Sequence, residues 1–360
     1  MAARIPVTIL TGYLGAGKTS LLNRILSQDH GRRYAVIVNE FGEIGIDGDL
    51  IIGGDEELFE MNNGCVCCTV RGDLIRTLHA LLNRPTSMGV SGDPSAAAFD
   101  AILIETTGLA DPGPVAQTFF VDAFLLARTR LDSITTLVDA HHIEARLTDS
   151  REAAEQVAFA DLIVLNKTDL VDETGLQAIE ARLRGLNPLA AIHRALRADI
   201  DPARVLDRGA FDLERIVELE PQFLRVAAAQ GHLGHGEPGH VHDEACDHRD
   251  ANAVHDHRHD DDIRSICLSH SQPMDARKVS DWLKDVLAAQ GARILRTKGI
   301  IHVHAESRRL VVQAVHHLLE GDFQGAWPPA VTPHTRLVFI GRQLDGAALR
   351  AGLDGCTAGR

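Results

Sequence analysis

Short apolar runs alternate with amphipathic stretches through the first two thirds of the chain, the pattern of a parallel sheet wrapped by helices. Runs at 7–10, 34–39, 101–105, 134–139 and 162–166 predict strands, with another near 190–193. Each ends in polar or glycine-bearing residues, and in doubly wound sheets ligands sit beyond the carboxyl ends of the strands. After residue 263 the pattern changes. Residues 263–268 predict a strand, Val279, Trp282, Leu283, Val286 and Leu287 mark one helical face closed by Gly291, and 299–303, 309–315 and 336–340 predict further strands. The expected fold is α/β, a doubly wound sheet followed by a smaller C-terminal α+β domain. Its expected divisions are 1–225, a His-rich linker at 226–262, the small domain at 263–345 and a tail at 346–360. Residues 84–99, small and polar without periodicity, are expected to form a mobile surface loop.

Composition narrows the class. Over 360 residues the apolar share is 45% and the charged share 24%, as in soluble globular proteins. Every apolar run is interrupted well short of the roughly 20 residues that a membrane-spanning helix needs. The first strand runs straight into a glycine-rich loop, unlike a signal peptide, so a cytoplasmic location is expected. A formal charge of −14 argues against nucleic acid or an anionic membrane as a partner. Six cysteines do not make a disulfide framework in a chain this long, and Cys65, Cys67 and Cys68 crowd together.

Gly12-Tyr13-Leu14-Gly15-Ala16-Gly17-Lys18-Thr19 matches the phosphate-loop pattern between a strand and the helical segment that opens at Ser20. Its backbone N–H groups and helix N-terminus suit phosphate oxygens, with Lys18 reaching the β and γ phosphates and Thr19 on Mg²⁺. Asn166-Lys167-Thr168-Asp169 ends a later strand. An Asp carboxylate there can accept both guanine N1–H and the 2-amino group, which adenine cannot supply, so GTP is the expected nucleotide. Between them, 102–104 form an apolar strand ending at Glu105. The sequence predicts Glu105 in the Mg²⁺ shell, through water, and the Gly108 N–H near the γ-phosphate. Residues 39–47, with Glu40 and Glu43, suit a switch loop that orders around Mg²⁺; a plain acidic turn is the alternative.

Thiolates suit Zn²⁺ or Cu⁺, and three protein ligands would leave one coordination position open. On an extended segment Cys65 and Cys67 share a face that Cys68 opposes, so joint ligation requires a turn, which Asn62, Asn63 and Gly64 favour. Glu40 or Glu43 is a candidate fourth ligand. A redox pair and simple burial stay open for these cysteines. In the linker, His240, His242, His255, His257 and His259, with further histidines and Cys246, could collect Zn²⁺, Ni²⁺, Co²⁺ or Cu²⁺ without fixed geometry; a polar tether is the alternative.

The phosphate loop, Asn-Glu-Phe-Gly-Glu, Gly-Cys-Val-Cys-Cys, Glu-Thr-Thr-Gly-Leu-Ala-Asp-Pro and Asn-Lys-Thr-Asp, in this order, resemble the CobW family of P-loop GTPases. That resemblance implies a P-loop NTPase sheet and a C-terminal CobW-like domain. It implies an Mg²⁺-dependent GTPase that serves as a metallochaperone, its Cys-x-Cys-Cys motif carrying Zn²⁺, or Co²⁺ in the cobalamin branch, to a client metalloprotein. A homodimer is left open. Rival expectations are a passive zinc store with a vestigial nucleotide fold, a cobalt-insertion partner in cobalamin synthesis, and a P-loop kinase.

Overall fold

The computed structural model describes residues 4–28, 32–39, 57–61, 68–83, 99–211, 263–329 and 331–359. Two compact units divide the chain. The first takes in everything described up to Phe211 except 182–189, and the second takes in 182–189 and everything from 263 onward.

The first unit runs β1 (Ile5–Gly12), α1 (Lys18–Leu26), β2 (Tyr34–Asn39), β3 (Glu57–Met61), α2 (Cys68–Leu82), β4 (Ala101–Glu105), α3 (Pro112–Val121) and α4 (Ala123–Arg128). It continues with β5 (Thr129–Asp139), α5 (Ile143–Asp149), α6 (Arg151–Phe159), β6 (Leu162–Asn166), a 3₁₀ turn (Thr168–Leu170), α7 (Glu173–Leu186), whose residues from 182 on are grouped with the second unit, and β7 (Ala191–Arg194). The strands form a seven-stranded sheet in the order β3-β2-β4-β1-β5-β6-β7, and each pairing is parallel. A parallel sheet covered on both faces wants continuous apolar strands, and every residue of β4 and β6 is buried. The chain leaves β1 for β2 on one side and leaves the adjacent β5 for β6 on the other. The order of strands therefore switches between β1 and β5, where such sheets place their ligands.

Two elements depart from the expected pattern. The fifth strand begins at Thr129 rather than 134, although its first residues are polar. Asp132 is fully buried there because it accepts the backbone N–H groups of Gly209 at 2.7 Å and Arg208 at 3.0 Å. Strand β3 was not expected at all; it lies at the edge of the sheet, where the demand for apolar residues is weakest.

The second unit is a five-stranded antiparallel sheet with two helices. Its elements are β8 (Ile263–His270), α8 (Ala276–Gln290), β9 (Ile294–Ile301), β10 (Arg308–Val315), β11 (Leu318–Ala326), β12 (Thr335–Arg342) and α9 (Gly346–Gly355). The strand order is β11-β10-β9-β12-β8. Asp275 caps α8 by accepting from Arg277 N and Lys278 N, and Val279, Leu283 and Leu287 face the core as the periodicity predicts. Strand β9 spans Ile294–Ile301 instead of the expected 299–303, because its middle buries Arg296, Thr297 and Lys298, which break the apolar pattern. Where a tail was expected from 346, α9 is capped by Asp345 and places Leu349 and Leu353 in the same core as Leu283 and Phe339.

The switch segment with Glu40 and Glu43, Cys65, Cys67, the 84–98 loop and the linker with His240, His242, His255, His257 and His259 lie outside the described residues. Cys68 enters only as the first backbone position of α2. Among the described residues no helix is long and apolar enough to cross a membrane.

Candidate functional site

The phosphate loop leaves β1 at Gly12 and enters α1 at Lys18. Gly12 has φ 141°, and a Cβ on it would lie 2.3 Å from the Leu137 carbonyl oxygen of β5. Gly17 has φ 107° and would drive a Cβ to 2.6 Å from the Asn166 side-chain amide. Both positions demand glycine on conformation and on space. Gly17 caps α1 without a side-chain hydrogen bond, and the helix dipole favours an anion at this end. Lys18 Nζ donates to the carbonyl oxygens of Gly12 at 2.9 Å and Tyr13 at 3.4 Å, folded back over the loop.

The strand that ends at Glu105 lies beside β1, and its terminal carboxylate meets the start of α1. Thr19 Oγ1 donates to Glu105 Oε1 at 3.0 Å. Just beyond, Thr106 N donates to the Leu10 carbonyl at 2.9 Å and Thr106 Oγ1 to Thr11 Oγ1 at 2.9 Å, which locks the two strand ends together. The following turn is held from α6. Gln156 Nε2 donates to the carbonyls of both Gly108 and Ala110 at 3.1 Å, and Gly108 lies directly against Leu14 of the phosphate loop. The Asp-Pro that closes this motif starts α3: Asp111 accepts from Gly113 N at 2.8 Å and Pro112 takes the first helical position.

Asn166-Lys167-Thr168-Asp169 lies at the end of β6, and three of its residues are pinned to three different segments. Asn166 Nδ2 donates to Ala16 O of the phosphate loop at 2.9 Å, while its Oδ1 accepts from Ala198 N at 2.8 Å. Lys167 takes a left-handed backbone conformation, φ 59°, and its Nζ donates to Asp139 Oδ2 at 2.7 Å. Thr168 Oγ1 donates to the Ala195 carbonyl at 3.1 Å. Asp169, in the 3₁₀ turn, is exposed.

A cavity of about 440 Å³ opens where the strand order switches, lined among others by Tyr13, Leu14 and Gly15 of the loop, Asp139, Arg146 and Lys167. The Arg146 guanidinium stands 5.3 Å from the centre of the Tyr13 ring. Burial works against ionisation of Asp139, but the hydrogen bonds from Lys167 and His142 prevail and hold its carboxyl below the usual range. The structure thus gathers residues 12–19, Glu105, Gly108 and 166–169 along one end of the sheet. Asp139, Gln156 and Ala198 join them without having been singled out by sequence. Asp139 had one readable signal, its place as the acid that ends an apolar strand.

This fold and this loop-bearing sheet edge define a P-loop nucleotide-binding protein with an appended α+β domain. The chain belongs to the CobW/HypB/UreG family: residues 6–194 match its nucleotide-binding domain, and residues 263–357 match the cobalamin synthesis protein cobW C-terminal domain. The zinc chaperone YjiA of Escherichia coli strain K12 is 34% identical over 352 residues, 98% of each chain. The zinc chaperone CobW of a Sinorhizobium species is 31% identical over 97% of this chain and 96% of its own length. The Zn(II)-bound YjiA GTPase from E. coli superposes with a TM-score of 0.71 at 30% identity, covering 99% of this chain and 100% of that one. A triple mutant of that protein, with a glutamate and two cysteines changed to alanine, is likewise Zn(II)-bound.

Proposed function

We propose that the chain is a GTP-hydrolysing metallochaperone that binds Zn²⁺ at Cys65, Cys67 and Cys68 and delivers it to a client metalloprotein under control of the nucleotide. The observation that carries the GTPase half is the Asn166–Ala16 bond, which joins the guanine-reading segment to the phosphate loop. In this reading the N–H groups of 13–20 and Lys18 hold the phosphates, the Gly108 N–H serves the γ-phosphate, and Asp169 reads guanine. Thr19 Oγ1 and Glu105 Oε1 are hard oxygens 3.0 Å apart. Oxygens of this kind would hold Mg²⁺, Thr19 directly and Glu105 through water. Mg²⁺ held there would neutralise charge on the phosphates.

Relatives named zinc chaperones support zinc over cobalt as the cargo. Thiolates are the ligands that a zinc carrier with an open position would use. Zinc in the triple mutant of the YjiA GTPase is bound without the glutamate and the two cysteines replaced there. In this chain the histidines at 240, 242, 255, 257 and 259 are the candidates for a second, weaker set. Clients are proteins that need the metal.

The test is a Zn²⁺ titration by chelator competition with a GTP analogue, with GDP and without nucleotide, run beside GTP turnover. Couplings between sites of this kind amount to about 5- to 150-fold in affinity. A difference in that range between the GTP-analogue and GDP states is expected. Equal affinities in all three states, or turnover that survives Lys18→Ala, would remove the reading.

A further inference from the structure

Asp139 ends β5, 28 residues before the lysine that it touches. Both of its oxygens are fixed from its own loop: His141 N donates to Oδ1 at 3.0 Å, and His142 Nδ1 lies 3.0 Å from Oδ2. The same Oδ2 accepts the Lys167 ammonium at 2.7 Å, with the carboxylate side chain only 12% exposed. Lys167 is an expensive residue to hold still. Its side chain is long and rotamer-rich, and its left-handed backbone is one that non-glycine residues adopt only where the surroundings enforce it. The neighbours enforce the backbone, since Asn166 and Thr168 are bonded to the phosphate loop and to the end of β7. Asp139 fixes the side chain.

We infer that Asp139 is a positioning residue for nucleotide binding, holding Lys167 in place beside the phosphate loop before the base arrives. This rests on the guanine-reading role proposed for 166–169. The carboxylate lines the cavity next to Tyr13, Leu14 and Gly15, so the ammonium it holds sits at the junction of the two nucleotide motifs. A lysine fixed in advance loses no rotamer freedom on binding, and that saving appears as affinity. An ordinary surface ion pair contributes little. This pair is part-buried, and its acceptor is immobilised by two further donors, so the geometry is set whether or not nucleotide is present.

The experiment is a double-mutant cycle on the full chain, with GDP and IDP dissociation constants as readout and melting temperature as the control for folding. Lys167→Met alone should weaken GDP; if it does not, the guanine-reading role of the segment fails independently of Asp139. Asp139→Asn should weaken GDP and IDP alike by about tenfold, the size of a lost charge-assisted hydrogen bond. The GDP-to-IDP ratio should stay constant, because the 2-amino group belongs to Asp169. In the Lys167→Met background Asp139→Asn should have no further effect. Where Asp139→Asn does not fold, Asp139→Glu closes the same cycle, since a carboxylate displaced by one methylene should cost affinity only when Lys167 is present. Equal losses in both backgrounds, or no loss in either, would overturn the inference.

Discussion

The side-chain amide of Asn166 donates to the backbone carbonyl of Ala16 at 2.9 Å, and its carbonyl accepts from Ala198 N at 2.8 Å. One buried side chain thereby joins the phosphate loop, the end of β6 and the segment after β7. Replacing it by alanine strands a buried acceptor on Ala16 and a buried donor on Ala198. Asn166→Ala should lower unfolding stability by about 2 kcal/mol and weaken every nucleotide regardless of base. Urea unfolding and GDP binding check this. A variant of wild-type stability that lost only guanine selectivity would mean that Asn166 faces the base and not the loop.

Asp169 has a different dependence. Its carboxylate is offered as acceptor to the guanine N1–H and 2-amino groups, whereas an amide in its place can accept from N1–H but must donate at position 2. Xanthine carries an oxygen there. Asp169→Asn should therefore weaken GTP by about 10²-fold or more and bind xanthosine triphosphate better than the wild type does. Nucleotide competition measures both. Undiminished GTP binding in the variant would move the base elsewhere.

How much of this was readable follows from where each residue finds its partners. Strands β4 and β6 were legible residue by residue because both faces are buried, and Ile-Leu-Ile or Leu-Ile-Val-Leu can hardly be anything else. The phosphate loop and the Asn-Lys-Thr-Asp segment were legible because their chemistry is local. The start of β5 was hidden because Asp132 is satisfied by amides 76 and 77 residues later. Asp139 and Gln156 were hidden for the same reason, each a single polar residue whose partner is set by the sheet topology. Helix α9 offered only Leu349 and Leu353 as large core residues, too little periodicity to stand out from a tail.

Asp132 also carries a pH signature. Burial pushes its carboxyl above the usual range, although the amides of Gly209 and Arg208 and the charge of Arg130 pull the other way. The folded chain thus keeps this proton to a higher pH than the unfolded chain, whose value lies near 4, about that of a free Asp. Its contribution to stability is full below the unfolded value and declines as pH rises through the folded one. The stability difference between wild type and Asp132→Asn should shrink as pH rises above about 4 and then level off. Denaturant unfolding of both proteins across that range is the measurement. A difference that grew with pH would show that the amides outweigh burial.

Metal removal separates the two proposed classes of zinc ligand. Replacing 231–262 with a Gly/Ser tether removes imidazoles but touches neither the phosphate loop nor Cys65, Cys67 and Cys68. Ions held by imidazoles without a shared coordination geometry are weakly bound, whereas three thiolates that converge gain from tetrahedral zinc geometry. The tether variant should lose weakly bound Zn²⁺ and keep both the tight site and GTP turnover. Cys65→Ser, Cys67→Ser and Cys68→Ser together should do the reverse, abolishing tight binding while weak ions remain. By linkage the cysteine variant should also lose any effect of Zn²⁺ on GDP affinity, since a coupling free energy acts equally in both directions. Zinc competition with a chelator and GDP titration with and without zinc read both halves. If the tether variant loses the tight ion, the histidines and not the cysteines hold the cargo.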